Sequence, residues 1–399
     1  MKSARNWGRL GMRCKLGDIS EITKLAGYEF TKYIKYIPDG EIIAVRALNL
    51  KNGALVLDDI QRISKEVSET LPRSQLHKND IVLSYTGTLG ECAQIREDGK
   101  YHLAPNVCKI TPNDSVVNPN FLFQYIRCEK FKQTLINYAH GSTQPTVPMS
   151  TIRDIPVDIP DDLEKQGKIA AILSALDEKI AINRAINENL ERQAQALFKS
   201  WFVDFDSVSK LGFTESELGD IPYGWRIYTL SEFLPVKTGK KNANVSSDKG
   251  AYPFFSCSQD FSWTDEYSFE GHAILVAGNG DFNVKWYNGK FEAYQRTYVL
   301  IPYVERYTDW LYYAVKYNLE SITSAARGSV IKFITKGNLE NFAFAAPENL
   351  EKCEIIDTFS SINRIIDALT QENYRLAEIR DSLLPKLMAG EIDASAVQL

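Results

Sequence analysis

Apolar residues recur at alternating spacings of four and three along 169–201: Ile169, Leu173, Leu176, Ile180, Asn183, Asn187, Leu190, Ala194, Leu197 and Trp201. A shift of 186 lands on a second series, Ile355, Phe359, Ile362, Ile366, Leu369, Asn373, Leu376, Arg380, Leu383 and Leu387. Both series run past four heptads, so each predicts one long helix with a coiled-coil seam. Ser174/Ser360, Ile180/Ile366, Asn187/Asn373, Leu190/Leu376 and Leu197/Leu383 are identical under the shift. A single apolar stripe is ordinary, but two that match at a fixed period make a repeat.

The repeat extends upstream. Gly141-Ser142 corresponds to Gly328-Ser329 at a shift of 187, as do Ile155, Val157, Ile159 and Pro160 to Phe342, Phe344, Ala346 and Pro347. Leu16-Gly17-Asp18-Ile19 resembles Leu230-Ser231-Glu232-Phe233 at the larger shift of 214, so the second globular segment is the shorter one. The chain reads as globular segment 1–160, helical segment 161–206, linker and globular segment 207–347, and helical segment 348–399.

Local patterns fill in the elements. Leu16–Ile22 predicts a short helix capped at Asp18. Ile42–Arg46, Asp80–Tyr85, Cys92–Ile95 and Asn106–Ile110 read as strands, with a Gly-punctuated turn at Thr86–Gly90. Phe121 to Leu135 has helical spacing, and His140–Pro148 is a loop. Ile155–Pro160 is extended but too rich in proline for a central strand. The first long helix starts near Leu163 behind Asp161 or Asp162. Gly271–Val276 repeats the strand at Ile81, with a turn at Ala277–Asp281. Val284–Tyr287 and Tyr294–Ile301 read as strands around an Asn288-Gly289 hairpin. Trp310–Tyr317 is helical. The second long helix runs from Leu350 to Gly390, with Pro385 predicted to kink or end it. The fold class is therefore α+β, with two pseudo-repeated mixed domains and two long helices.

A chain of 399 residues is long enough for two or three domains. No run of eighteen apolar residues predicts a membrane span. Lys2, Arg5, Arg9 and Arg13 precede no apolar stretch, so no secretory signal is expected. Six scattered cysteines without a C-x-x-C pair fit a reducing cytoplasm rather than a disulfide or zinc framework. Net charge is −5. Residues 1–160 hold 21 Lys and Arg against 17 Asp and Glu, whereas residues 348–399 hold 5 against 10. The acid lies on the helices, and each globular segment can carry a positive face.

Motifs for catalysis do not hold. Asn118-Pro119-Asn120-Phe121 has the wrong third residue for an adenine-methyltransferase box, and no Gly-rich cofactor loop follows a strand. Pro160-Asp161 with Asp177-Glu178-Lys179 matches a nuclease pattern in order only. Its acids would lie roughly 24 Å apart along one helix at 1.5 Å per residue. The four histidines lack metal-ligand spacing.

Binding chemistry remains. Lys and Arg neutralise phosphates, and Asn, Gln and Arg pair with base edges. The candidates in the first globular segment are Lys32, Tyr33, Lys35, Arg46, Thr86, Thr88, Ser142, Thr143 and Gln144. In the second they are Lys240, Lys241, Asn242, Asn279, Asn283, Lys285, Gln295, Arg296, Arg327 and Ser329. No catalytic and no metal-binding residue is assigned.

Several segments together resemble the specificity subunit of type I restriction-modification systems. They are Asn79–Leu83 with Thr86–Gly90, Gly141–Gln144, the seam through Asn187 and Leu190, Glu217–Trp225 and Leu384–Ile392. The resemblance spans nearly the whole chain. It implies two target-recognition domains, each reading half of a split double-stranded DNA target. It also implies an antiparallel coiled coil that holds them apart, paired through Leu176, Ile180, Asn183, Asn187 and Leu190 on one helix and Ile362, Ile366, Leu369, Asn373 and Leu376 on the other. Asn183 or Asn187 is expected to approach Asn373, since a polar seam residue fixes register. The family further implies two methyltransferase subunits and translocating, cleaving restriction subunits as partners. S-adenosylmethionine would be bound by a partner, and this chain would hold no cofactor and no catalytic site. Deleting residues 350–392 is expected to abolish assembly and leave the first globular segment folded. The alternatives are a single-chain DNA-modifying enzyme and a protein–protein adaptor with no DNA role.

Overall fold

The computed structural model describes residues 11–397 except 142–143, 248 and 325–332. Two compact units emerge: Met1–Ile182 with Glu372–Leu399, and Asn183–Gln371. The division follows packing, so it cuts both long helices, and each unit owns one globular head and part of each helix.

In chain order the first head is built of β1 (Met12–Lys15), β2 (Ser20–Lys24), α1 (Gly27–Tyr33), β3 (Ile42–Val45), β4 (Leu50–Lys51), β5 (Ala54–Leu55) and β6 (Gln61–Ile63). It continues with α2 (Lys65–Thr70), β7 (Gln75–Leu76), β8 (Ile81–Ser84), β9 (Cys92–Gln94), β10 (Tyr101–Leu103) and β11 (Val107–Pro112). The last pieces are α3 (Pro119–Arg127), α4 (Glu129–Asn137), α5 (Met149–Asp154) and β12 (Pro156–Ile159). One sheet has the order β2-β11-β8-β9, all antiparallel. A second has the order β6-β3-β10-β7, with β10 parallel to β3. β1 pairs with the proline-flanked β12 in a two-stranded ladder. Helix α3 is covered on every side, Phe121 through Ile126 being buried, as expected of a helix apolar nearly all round.

Two local expectations fail. Leu16–Ile22 is a single 3-10 turn, Leu16–Asp18, followed by β2. The Asp18 carboxylate accepts from the Lys15 amide behind it at 2.9 Å, closing the turn instead of capping a helix ahead. Burial of Ser20 and Ile22 on either side of exposed Glu21 then suits pairing with β11, because strand side chains alternate between faces. The helical stretch from Phe121 to Leu135 is two helices, broken at Cys128, whose extended backbone caps α4.

The long helix α6 is Leu163–Phe202, 40 residues. The Asp162 carboxylate accepts from the Glu164 amide at its start. The linker then holds a short pair, β13 (Phe213–Thr214) with β14 (Ile221–Pro222). The second head follows as β15 (Trp225–Thr229), β16 (Val236–Thr238), β17 (Tyr252–Phe255), β18 (Ser262–Thr264), β19 (Phe269–Ala277), β20 (Val284–Ala293) and β21 (Thr297–Leu300). It closes with α7 (Thr308–Tyr317), α8 (Leu319–Ser324), α9 (Lys336–Glu340) and β22 (Ala343–Pro347). Its sheet order is β16-β21-β19-β20-β17-β18, and β15 pairs with β22. The run β16-β21-β19-β20 repeats β2-β11-β8-β9 of the first head, and β15–β22 repeats β1–β12. The two heads thus share this four-strand run and the two-stranded ladder, while the second sheet of the first head, β6-β3-β10-β7, has no equal among the described residues of the second.

Asn288-Gly289 is not a hairpin turn. β20 runs straight through it, and Gly271 faces Gly289 across β19–β20. A Cβ on Gly289 would stand 3.2 Å from the Tyr287 ring. This glycine makes room for a ring rather than a turn.

Helix α10 (Ile355–Ala389) runs four residues past Pro385 and ends at Gly390, φ +71°. The exposed proline removes one backbone bond. Leu384, Leu387 and Met388 hold the last turn by packing into the core of the first unit. That packing counts against the expectation that the first globular segment stays folded without residues 350–392, since their deletion would strip core side chains from the first unit.

Within each unit the helix segments run antiparallel. In the first unit Asp177 meets Arg380 at 2.9 Å and Lys179 meets Glu372 at 3.7 Å. In the second, the Asn187 amide donates to the Ile366 carbonyl and to Thr370 Oγ1, while Phe198 packs on Phe359. Every position of both sequence-predicted seams is buried or half-buried. Asn183 is fully buried, and Asn187 and Asn373 are half-buried.

A candidate nucleic-acid interface

In the second head, β16 ends, β21 begins and β19 ends along one sheet edge, with Thr238 opposite Tyr298 and Ala277 opposite Thr297. The loops leaving that edge are tied to one another. The Gln295 amide donates to the Lys241 carbonyl at 2.9 Å, and the Gly278 amide to the Arg296 carbonyl at 2.8 Å. Lys240, Lys241, Asn242, Asn279, Asn283, Lys285, Gln295 and Arg296 are therefore brought together. Burial and partners sort them further. Lys240, Asn242, Gln295 and Arg296 are exposed. Asn279 is half-buried and bridges to Phe333 through its backbone. Lys241 is paired with Glu266 at 2.6 Å, which holds its proton more tightly. Asn283 is buried and donates to the carbonyls of Cys257 and Asp281. Lys285 donates to the Ser256 carbonyl at 3.3 Å, and burial lowers its pKa. Arg327 and Ser329 lie outside the described residues.

The first head presents the same edge: β2 ends at Lys24, β11 begins at Val107 and β8 ends at Ser84. The Thr86–Gly90 turn leaves it and is stitched to the 140–146 loop, the Gly87 amide donating to the Pro145 carbonyl at 3.0 Å. Thr88 and Gln144 are exposed there. Thr86 is buried against Thr146. Ser142 and Thr143 lie outside the described residues. Lys32, Tyr33 and Lys35 stand exposed on and after α1, the helix that leaves this edge. Arg46 follows β3 of the other sheet and is paired with Asp59 at 3.0 Å, so it braces a loop.

Sequence reading missed two features of these edges. The Lys24 ammonium sits 5.4 Å from the centroid of the Tyr85 ring, at the mouth of the first-head edge. In the second head the polar loop 256–260, Ser-Cys-Ser-Gln-Asp, is bound to the cation-bearing loops, Cys257 Sγ donating to the Arg296 carbonyl at 3.4 Å. The run of small polar residues between Phe255 and Phe261 was the available signal.

The rejected catalytic motifs have structural roles. Asn118 caps α3, accepting from the amides of Asn120 and Phe121. Asp177 binds Arg127, Gln124 and Arg380. Among the described residues no three His, Cys, Asp or Glu side chains gather as a metal site, and no helix is long and apolar enough to cross a membrane.

A repeated α+β head with a polar, cation-bearing sheet edge, alternating with long paired helices, defines a class that sequence comparison identifies. The family model for the type I restriction modification DNA specificity domain matches residues 12–192 and 222–378, and the chain belongs to that family. It is similar to the type I restriction enzyme EcoDI specificity subunit of Escherichia coli, 35% identical over 178 residues, 44% of this chain and 40% of that protein. It is also similar to the MjaIX specificity subunit of Methanocaldococcus jannaschii, 24% identical over 71% of each chain. The first match therefore spans less than half of the E. coli relative's length. In fold it is similar to the crystal structure of the type I restriction-modification S subunit from M. genitalium, with a TM-score of 0.55 at 17% identity, covering 97% of this chain and 98% of that one.

Proposed function

We propose that this chain is the DNA-reading, non-catalytic subunit of a type I restriction-modification complex. Each head reads one half of a bipartite duplex target, and the long helices set the spacing. The observation that carries this reading is the repeated sheet edge: the same three strand ends in each head open onto loops with exposed cations and side-chain amides. Phosphate contacts would come from the cations and base contacts from the amides. Helices of 40 and 35 residues are about 60 and 52 Å long at 1.5 Å per residue. That exceeds the roughly 34 Å of one DNA turn between half-sites.

Two methyltransferase subunits dock on the helices in this reading, and restriction subunits join them. S-adenosylmethionine belongs to the methyltransferase. The test is selection from a random duplex pool with the chain in complex with its methyltransferase. Two enriched half-sites at a fixed spacing are expected. A single contiguous motif, or no enrichment, overturns the proposal, as does S-adenosylmethionine binding by the isolated chain.

A further inference from the structure

We infer that Gln259 reads an adenine in the second half-site and that Asp281 positions it; this rests on the DNA-reading function above. Loop 256–260 is fixed at the sheet edge by Asn283, Lys285 and the Cys257–Arg296 contact. Gln259 is exposed at its tip, and its Nε2 donates to Asp281 Oδ2 at 2.6 Å. A carboxylate only accepts, so this bond identifies which end of the amide is nitrogen. One of the two N–H groups is thereby engaged. The other N–H and the Oε1 acceptor remain for a base on this exposed side chain, and a bidentate pair uses the N–H on the Oε1 side.

Adenine presents the complement in the major groove: N7 accepts and N6 donates. Guanine offers two acceptors there, which would set Oε1 against an acceptor. Asp281 holds the amide plane, so the side chain loses less rotamer freedom on binding. Arg296, on the same edge, is exposed and makes no ion pair among the described residues, which suits a phosphate contact beside the base.

The test compares the wild-type, Gln259→Ala and Asp281→Ala chains, each in complex with the methyltransferase, against a random duplex pool. Gln259→Ala should lower the preference for adenine at one position of one half-site by about 10- to 100-fold. The other half-site and the salt dependence should stay as they were. Asp281→Ala should blunt the same position by a smaller factor. Both side chains are exposed, and matching thermal midpoints would confirm folding. An unchanged base profile in Gln259→Ala, with both half-sites still enriched, overturns this inference alone. Wild-type protein that enriches no half-site overturns the DNA-reading function and this inference with it.

Discussion

Asp177 on α6 and Arg380 on α10 meet at 2.9 Å, and the same carboxylate takes Arg127 of α3 on its other oxygen. One acid thus joins a head helix to both long helices inside the first unit. The three side chains are mostly covered, at 24%, 18% and 12% exposure. Asp177→Ala would leave two covered guanidinium groups without their shared partner. It should cost about 3 kcal/mol of stability, read as a lower urea midpoint for the first unit. A change below about 1 kcal/mol would show that solvent already screens the cluster.

The second unit places Asn363 where the first has Asp177, the shift of 186 between the two helices relating them. Tyr313 of α7 donates to Asn363 Oδ1 at 2.7 Å and reaches Glu191 at 3.2 Å, while Lys316 binds Glu191 at 2.6 Å. Asn363 in turn donates to Asp309 at 2.6 Å. Gln124 and Arg127 of α3 thus have Tyr313 and Lys316 as counterparts, at a shift of 189. Tyr313→Phe removes one hydroxyl and strands a buried acceptor, so it should destabilise the second unit by about 1–3 kcal/mol. Calorimetry that resolves the two units should show only one transition moving.

Burial pushes His102 of β10 below its ordinary pKa, and its Nδ1 lies 2.8 Å from the Leu103 carbonyl. The unfolded chain takes up this proton near pH 6.5, whereas the native chain does so only at lower pH. Stability should therefore be level above that pH and decline as pH falls through it, by at most about 1.4 kcal/mol per pH unit. His102→Gln should flatten that decline. Urea midpoints of both proteins between pH 5 and 8 check the difference, and parallel curves would exclude His102 as the source.

The helices and the repeat were legible because they rest on local period and duplication, which survive any tertiary context. Leu16, Ile19 and Ile22 misled because a spacing of three suits a helix, while pairing with the distant β11 decides for a strand. Asn288-Gly289 misled similarly: its partner is Gly271 across a ladder, not the next strand. At the sheet edges, residue type was legible and availability was not. Arg46 is held by Asp59 and Lys241 by Glu266, partners that no local pattern marks. Gln259 was passed over because its value depends on Asp281, in a different loop.

Arg296 and Lys241 should differ in how readily they meet a phosphate. Arg296 is exposed, while Lys241 must first release Glu266. Each phosphate neutralised contributes about 0.9 to the slope of log affinity against log salt. Arg296→Ala should reduce that slope by about 0.9 and weaken every duplex alike. Glu266→Gln removes the competing carboxylate and frees Lys241, so the slope should steepen by about the same amount and low-salt binding should tighten. Titrations of a fixed duplex at several salt concentrations would register both changes, in opposite directions. If neither variant moves the slope, the edge carrying Arg296 and Lys241 faces away from DNA.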